Sequence, residues 1–119
     1  MKKTLVLGAS PNPNRMSNIV TKRLKQEGHE VIPIGIRQGE IDGLDIELNR
    51  VEVPNLDTIT LYLNPTRQEP YYDYILGLKP KRLIFNPGTE NFELMKLAKD
   101  EGIEPIMACT KVMLSIGNY

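Results

Sequence analysis

The residues best suited to hold an anion fall in one stretch, Gly8-Ala9-Ser10-Pro11-Asn12-Pro13-Asn14-Arg15-Met16-Ser17-Asn18. Gly8, Ala9 and Ser10 end an apolar run; Ser10, Ser17 and Asn18 add side-chain donors, and Arg15 adds a charge. A loop that feeds a helix N-terminus offers unpaired main-chain N–H groups and about half a positive charge, which suits a diphosphate. Only one glycine stands where a dinucleotide fingerprint would place three, so the stretch also reads as an ordinary strand-to-helix turn.

The segment Pro33-Ile34-Gly35-Ile36-Arg37 discriminates further. An NAD site places Asp or Glu after its second strand to accept from the ribose 2′-hydroxyl, and no acid stands here. The Arg37 guanidinium suits a phosphate on the ribose, because it can give parallel charge-assisted bonds to the oxygens. NADP and coenzyme A both carry such a phosphate, and the same arginine reads equally as a solvated loop cation. Two further apolar runs end at Asn64-Pro65 and at Asn86-Pro87-Gly88, which makes Pro33, Ile34, Asn64, Pro65, Asn86 and Pro87 candidate lining residues.

None of these ends carries a carboxylate, so binding rather than catalysis is the expected work of the chain. Glu40 and Asp42 flank Ile41 in a Gly-containing loop without a nearby histidine, the pattern of solvated turn residues rather than of a metal or acid–base pair. His29, the sole histidine, lies between a helix and a strand, at the end of the unit opposite the expected pocket. Cys109 is the only cysteine, which excludes an intramolecular disulfide; without a partnered base it reads as a packing residue. Tyr71, Tyr72 and Tyr74 read as packing or subunit-contact residues.

Alternating elements must position these groups. Thr4-Leu5-Val6-Leu7 reads as a buried strand, and Ser17 as the cap of a helix that runs to about Glu27, with Val20 and Leu24 inward and Gly28 after its end. Val31 to Ile34 is the next strand, with Pro33 at its end because proline cannot donate to a ladder. Arg37 to Asp57 shows no helical period and suggests a loop with a short strand or hairpin at 45–53. Ile59, Leu61 and Leu63 mark a strand, Arg67 to Leu76 a helix, and Leu83-Ile84-Phe85 a strand. Asn91 caps a helix with Leu94, Leu97 and Ala98 on one side; Ile103 to Ala108 is a strand and Thr110 to Leu114 a short helix. This pattern predicts one α/β domain over residues 1–119, a Rossmann-like doubly wound parallel sheet of order 3-2-1-4-5-6 with a reduced strand 3.

Bulk properties agree with one small domain. The chain has 119 residues, 40% hydrophobic and 25% charged, with fifteen basic residues balancing fifteen acidic ones. The charges are scattered, which gives no footprint for nucleic acid or an anionic membrane. No apolar run approaches the ~20 residues of a membrane span, and Met1-Lys2-Lys3 leads into a Gly turn rather than a cleavable signal, so a cytoplasmic protein is expected.

Taken together, these residues resemble the CoA-binding domain family: the Rossmann domain of succinyl-CoA ligase alpha subunits and acyl-CoA synthetases, and small stand-alone bacterial proteins built from it. The likeness runs from Leu5 to Val112. It rests on Gly8-Ala9-Ser10 followed by Arg15, Ser17 and Asn18; on Gly28-His29-Glu30-Val31-Ile32-Pro33-Ile34; on Glu40-Ile41-Asp42-Gly43; on Asn64-Pro65; and on Gly102-Ile103 leading to Cys109. The resemblance implies coenzyme A or an acyl-CoA across the strand ends. Its phosphates would lie near Ser10, Arg15, Ser17 and Asn18, its adenosine near Pro33 to Arg37, and its pantetheine arm toward Asn64-Pro65 and Asn86-Pro87. Family members often carry Asn-Pro where this chain has Gly35-Ile36. The ligases' phosphorylated histidine belongs to a following domain, so ligase activity does not carry over. An NADP-dependent oxidoreductase or its fragment, and a protein-interaction domain with a vestigial pocket, remain alternatives. A homodimer or a partner enzyme is compatible with each.

Overall fold

Short β-branched and leucine-rich runs, too short for helices and bounded by Gly, Pro and Asn, become the strands. The computed structural model describes all of residues 1–119. In it, β1 (Thr4–Leu7), β2 (Val31–Ile34), β5 (Thr58–Leu61), β6 (Arg82–Phe85) and β7 (Glu104–Met107) form one parallel sheet of order β2-β1-β5-β6-β7. β3 (Glu40–Ile41) and β4 (Leu44–Asp45) form a separate hairpin. The helices are α1 (Met16–Gln26), α2 (Pro65–Gln68), α3 (Tyr72–Leu78), α4 (Phe92–Asp100) and α5 (Thr110–Ser115).

This is the expected doubly wound sheet, with strand 3 reduced further than a strand. Its remnant is one parallel bridge between Ile34 and Glu47, made by Gly35 N–H to Glu47 O (3.0 Å) and Glu47 N–H to Pro33 O (2.9 Å). The hairpin lies earlier than the predicted 45–53, because Asp42 and Gly43 both take positive φ (52° and 85°), the conformation of a tight two-residue turn that Asp-Gly favours. Glu40 and Asp42 are therefore exposed hairpin residues.

The two faces of the sheet follow from the period of the strands. Leu5, Leu7, Ile34, Ile59, Leu61, Leu83 and Phe85 point to one face and pack with Ile75, Leu94, Ala98 and Ile103 from the α3 and α4 side. Val53 and Leu56 join that cluster, so an irregular segment covers the area that a second crossover helix would have covered. Val6 and Val31 point to the other face, where Val20 and Leu24 of α1, Ile41 and Ile46 near the hairpin, and Leu114 of α5 meet them. Burying each such side chain contributes roughly 1.5–3 kcal/mol, so the two clusters hold the strand ends in register.

Three local readings are corrected. Pro33 is the third residue of β2 rather than its end. It is tolerated there because its carbonyl, and hence its nitrogen, faces the sheet edge toward Glu47 rather than β1. Ser17 is not the cap of α1 but lies buried in its first turn, with Arg15 at the N-cap position. The single helix predicted from Arg67 to Leu76 is broken at Pro70 into α2, a 3₁₀ turn over Glu69–Tyr71 and α3. Other signals hold: Asn91 Oδ1 accepts from Leu94 N–H (3.2 Å) to cap α4, and Gly28 and Gly102 follow α1 and α4 with φ of 90° and 78°. No helix is long and apolar enough to cross a membrane.

Candidate functional site

A cleft of about 630 Å³ opens where the chain, having gone from β1 to β2, crosses back over β1 to β5. Loops after three neighbouring strands wall it: Gly8, Ala9 and Ser10 after β1, Ile34 to Arg37 after β2, and Tyr62, Leu63, Arg67 and Tyr71 after β5. The start of α1 closes the remaining side with Arg15, Met16 and Ser17. Such a reversal point is where open parallel sheets take ligands.

The floor is built by close backbone contact. Gly8 and Ala9 N–H both donate to Ile34 O (2.9 and 2.8 Å), and Tyr62 N–H donates to Leu7 O (2.8 Å). A Cβ on Gly35 would stand 2.2 Å from Ala9 O, so only glycine lets the β1 and β2 loops lie this close.

The Gly8–Ser17 loop folds on itself and leaves particular donors free. Ser10 Oγ accepts from Asn12 N–H (3.1 Å), Asn12 Oδ1 from Asn14 N–H (3.0 Å), and Asn12 O from Arg15 N–H (3.1 Å). Asn18 is buried and its Nδ2 donates to Ser10 O (2.9 Å), which anchors the loop from below; its Oδ1 is buried without a partner. The amides of Ser10, Met16 and Ser17 have no acceptor within the chain, and all three residues line the cleft. Backbone donors at the start of an eleven-residue helix, with no acid in its first turn, make an anion-attracting wall.

Charge is segregated around this wall. Arg15, Arg37 and Arg67 line the cleft, none is ion-paired, and no carboxylate lines it with them. By contrast, Arg23 pairs with Glu27 (2.6 Å), and Arg82 lies 3.9 Å from Asp57, both away from the cleft. Tyr62 contributes an apolar flank: its hydroxyl is buried without a partner, and burial pushes it well above the usual phenol range.

The structure thus brings Gly8, Ala9, Ser10, Arg15, Ser17, Ile34 and Arg37 to one cavity. The other residues singled out from sequence, Asn18, Pro33, Asn64, Pro65, Asn86 and Pro87, do not line it, Asn18 because its side chain is turned to Ser10 O beneath the loop. Pro33 is inside the sheet, and Asn64 Oδ1 caps α2 by accepting from Arg67 N–H (2.9 Å), with Pro65 exposed beside it. Asn86 is buried, with Nδ2 donating to Thr60 Oγ1 (2.7 Å) and Leu61 O (2.9 Å) and Oδ1 accepting from Thr110 N–H (2.8 Å); Pro87 is exposed. Met16, Gly35 and Ile36, which lie inside the two segments marked from sequence, line the cleft too, and Tyr62, Leu63, Arg67 and Tyr71 line it without having been singled out as its lining. Arg67 could have been found, since it follows Asn64-Pro65 by two residues at a strand end. Tyr71 could not, because its position depends on the break at Pro70. Tyr72 and Tyr74 do pack, through bonds to Glu93 and Asn91 and to Val51 O respectively. His29 accepts from Lys2 N–H through Nδ1 (3.0 Å) at the opposite end of the sheet, and Cys109 is half-buried and outside the cleft lining.

Among known proteins, the chain is similar in structure to a crystal structure of an uncharacterised protein, with a TM-score of 0.98 and 53% identity over 100% of this chain and 98% of the other. It also resembles a hypothetical protein from Pyrococcus horikoshii OT3, with a TM-score of 0.81 and 27% identity over 94% of this chain and 81% of that one. The dinucleotide-forming acetyl-coenzyme A synthetase 1 of Ca. Korarchaeum cryptofilum, solved with phosphate and ADP, shares the fold. That match has a TM-score of 0.72 and 18% identity, covering 91% of this chain but 26% of the synthetase. No curated protein matches. The model of the CoA binding domain family matches residues 2–115, nearly the whole chain, and the protein belongs to that family.

Proposed function

We propose that this chain binds coenzyme A or an acyl-CoA across the ends of β2, β1 and β5 without reacting with it. The observation that carries the reading is the segregation of unpaired Arg15 and Arg37 into a cleft that no carboxylate lines. Unpaired cations beside free amides call for a polyanionic ligand. In this reading the diphosphate lies on the amides of Ser10, Met16 and Ser17 with Arg15 above it, and Gly8 and Ala9 form the floor. Pro33 and Ile34 back the adenosine, whose ribose phosphate meets Arg37. The pantetheine arm lies toward the β5 and β6 ends, Asn64-Pro65 and Asn86-Pro87, with Asn86 holding the β6 loop from inside.

Calorimetry with coenzyme A and dephospho-CoA tests the assignment. Loss of charge-assisted bonds worth about 1.5–3 kcal/mol should weaken dephospho-CoA by roughly ten- to a hundredfold, and Arg37→Ala should abolish the difference. Equal affinity for the two ligands removes Arg37 from the site. Saturable NADPH binding with no response to coenzyme A would turn the same cleft into an NADP site.

A further inference from the structure

Arg67 is a cation for which coenzyme A has no anion left. With the diphosphate at the Gly8 loop and Arg15 and the ribose phosphate at Arg37, each anionic group of the ligand is matched. Arg67 stands on the other side of the β1 loop, because β1 lies between β2 and β5 in the sheet. Two strand spacings, on the order of 10 Å, separate the ends of β2 and β5. The Asn64 cap uses the main-chain N–H of Arg67, which fixes the backbone and leaves the guanidinium free.

The cleft wall beside Arg67 is apolar. Tyr62, Leu63 and Tyr71 line it, and the Arg50 guanidinium lies 4.5 Å from the centroid of the Tyr71 ring. Arg50, like Arg67, is not ion-paired. A ligand arm ending in a methyl group would use the leucine and the rings and leave Arg67 unmatched. An arm ending in a carboxylate would use the same apolar wall and also accept paired bonds from a guanidinium, an interaction strengthened where walls exclude part of the solvent.

We infer that the β5 flank, where Arg67 and Tyr71 line the cleft, is a carboxylate subsite, so that the cleft selects a CoA thioester whose acyl group ends in a carboxylate. This rests on the proposed function. Malonyl-CoA and propionyl-CoA are the probes, since both have three-carbon acyl chains and differ by a carboxylate in place of a methyl. By calorimetry on the full chain at low salt, malonyl-CoA should bind about tenfold more tightly. The ratio of the two affinities should fall to about one in Arg67→Gln and recover in part in Arg67→Lys, which keeps the charge. A ratio of one in the unaltered protein, or a ratio that survives Arg67→Gln, overturns the subsite. Coenzyme A that binds while the ratio is one removes the subsite alone; failure of all three ligands to bind removes the reading of the cleft with it.

Discussion

Replacing Gly35 with alanine measures how firmly the two loops under the cleft are joined. The new Cβ would lie 2.2 Å from Ala9 O and 3.2 Å from Ile46 Cγ2. The first neighbour is backbone and cannot rotate away, and an ordinary carbon–oxygen contact is about 3.3 Å, so the loops must part by roughly 1 Å. Parting them stretches the bonds from Ala9 N–H to Ile34 O (2.8 Å) and from Gly35 N–H to Glu47 O (3.0 Å). Overpacking costs about 1–3 kcal/mol and each loosened bond about 0.5–1.5, while the stiffer unfolded chain returns about 0.4–1. These terms sum to a net loss of ~1–6 kcal/mol, and the middle of that range, ~2–4 kcal/mol, is the expected value. At ~2.1 cal/mol/K per residue, one kcal/mol moves Tm by about 4 °C in a chain of this length, so Tm should fall by roughly 8–16 °C. Thermal unfolding followed by circular dichroism reads this directly. Gly77→Ala is the control: it lies in α3, a Cβ there meets nothing within 4 Å, and it should stabilise by about 1 kcal/mol. A Gly35→Ala protein that melts within about 2 °C of the original would refute the claim that this contact holds the floor.

Other perturbations reach different parts of the molecule. Asn86→Ala removes the partner of Thr110 N–H and two bonds to β5, and should lower stability by ~2–4 kcal/mol in urea unfolding, whereas an unchanged midpoint would show the network to be dispensable. Burial, aided by the nearby chain-terminal ammonium, lowers the pKa of His29, so the unfolded chain binds its proton first. The His29 contribution is therefore complete above the ordinary value of 6.5 and is lost as pH falls through it, and His29→Gln should flatten that slope in unfolding measured between about pH 5 and 7.5. Pro105 sits on edge strand β7 with its nitrogen facing out, since Glu104 N–H and Ala108 N–H bond inward to Lys81 O and Phe85 O. Pro105→Val restores an outward donor beside exposed Met107 and should raise self-association in sedimentation; a monomer–oligomer balance unchanged by it would mean that the edge is guarded otherwise.

The sheet was legible because its signals are local. β1, β5 and β6 are four-residue runs of almost wholly buried side chains, with Gly8 directly after β1 and Asn86 directly after β6, and α4 carries both its asparagine cap and its following glycine within reach of one another in sequence. What escaped depends on partners distant in the chain. Pro33 sits within β2 only because Glu47, fourteen residues on, takes its carbonyl on the edge side. Ser17 reads as a cap by residue type, yet the loop is closed through Asn12 and Asn18 and the helix starts one residue before it. The tyrosines at 71, 72 and 74 look equivalent, and Pro70 gives them three different environments.

The shortened second crossover also shapes the cleft. With strand 3 reduced to the Glu47 bridge, the chain after β2 is not drawn outward into another full strand; Gly35 lies on Ala9 O, and a Cβ on Gly39 would stand 2.7 Å from Pro11 Cβ. One loop therefore runs along the other, which carries exposed Ile36 and Arg37 to the rim beside the Gly8 turn. Past the bridge, the segment that stands in for a helix buries Val53 and Leu56 on the α3 and α4 side of the sheet. On its way it sets Arg50 against Tyr71, at the β5 side of the same cleft. A regular helix over residues 48–56 would span only about 13 Å, less than half the reach of the same residues extended. The irregular path is what lets one segment seal the core with Val53 and Leu56 and still set Arg50 against Tyr71, a residue of the cleft lining.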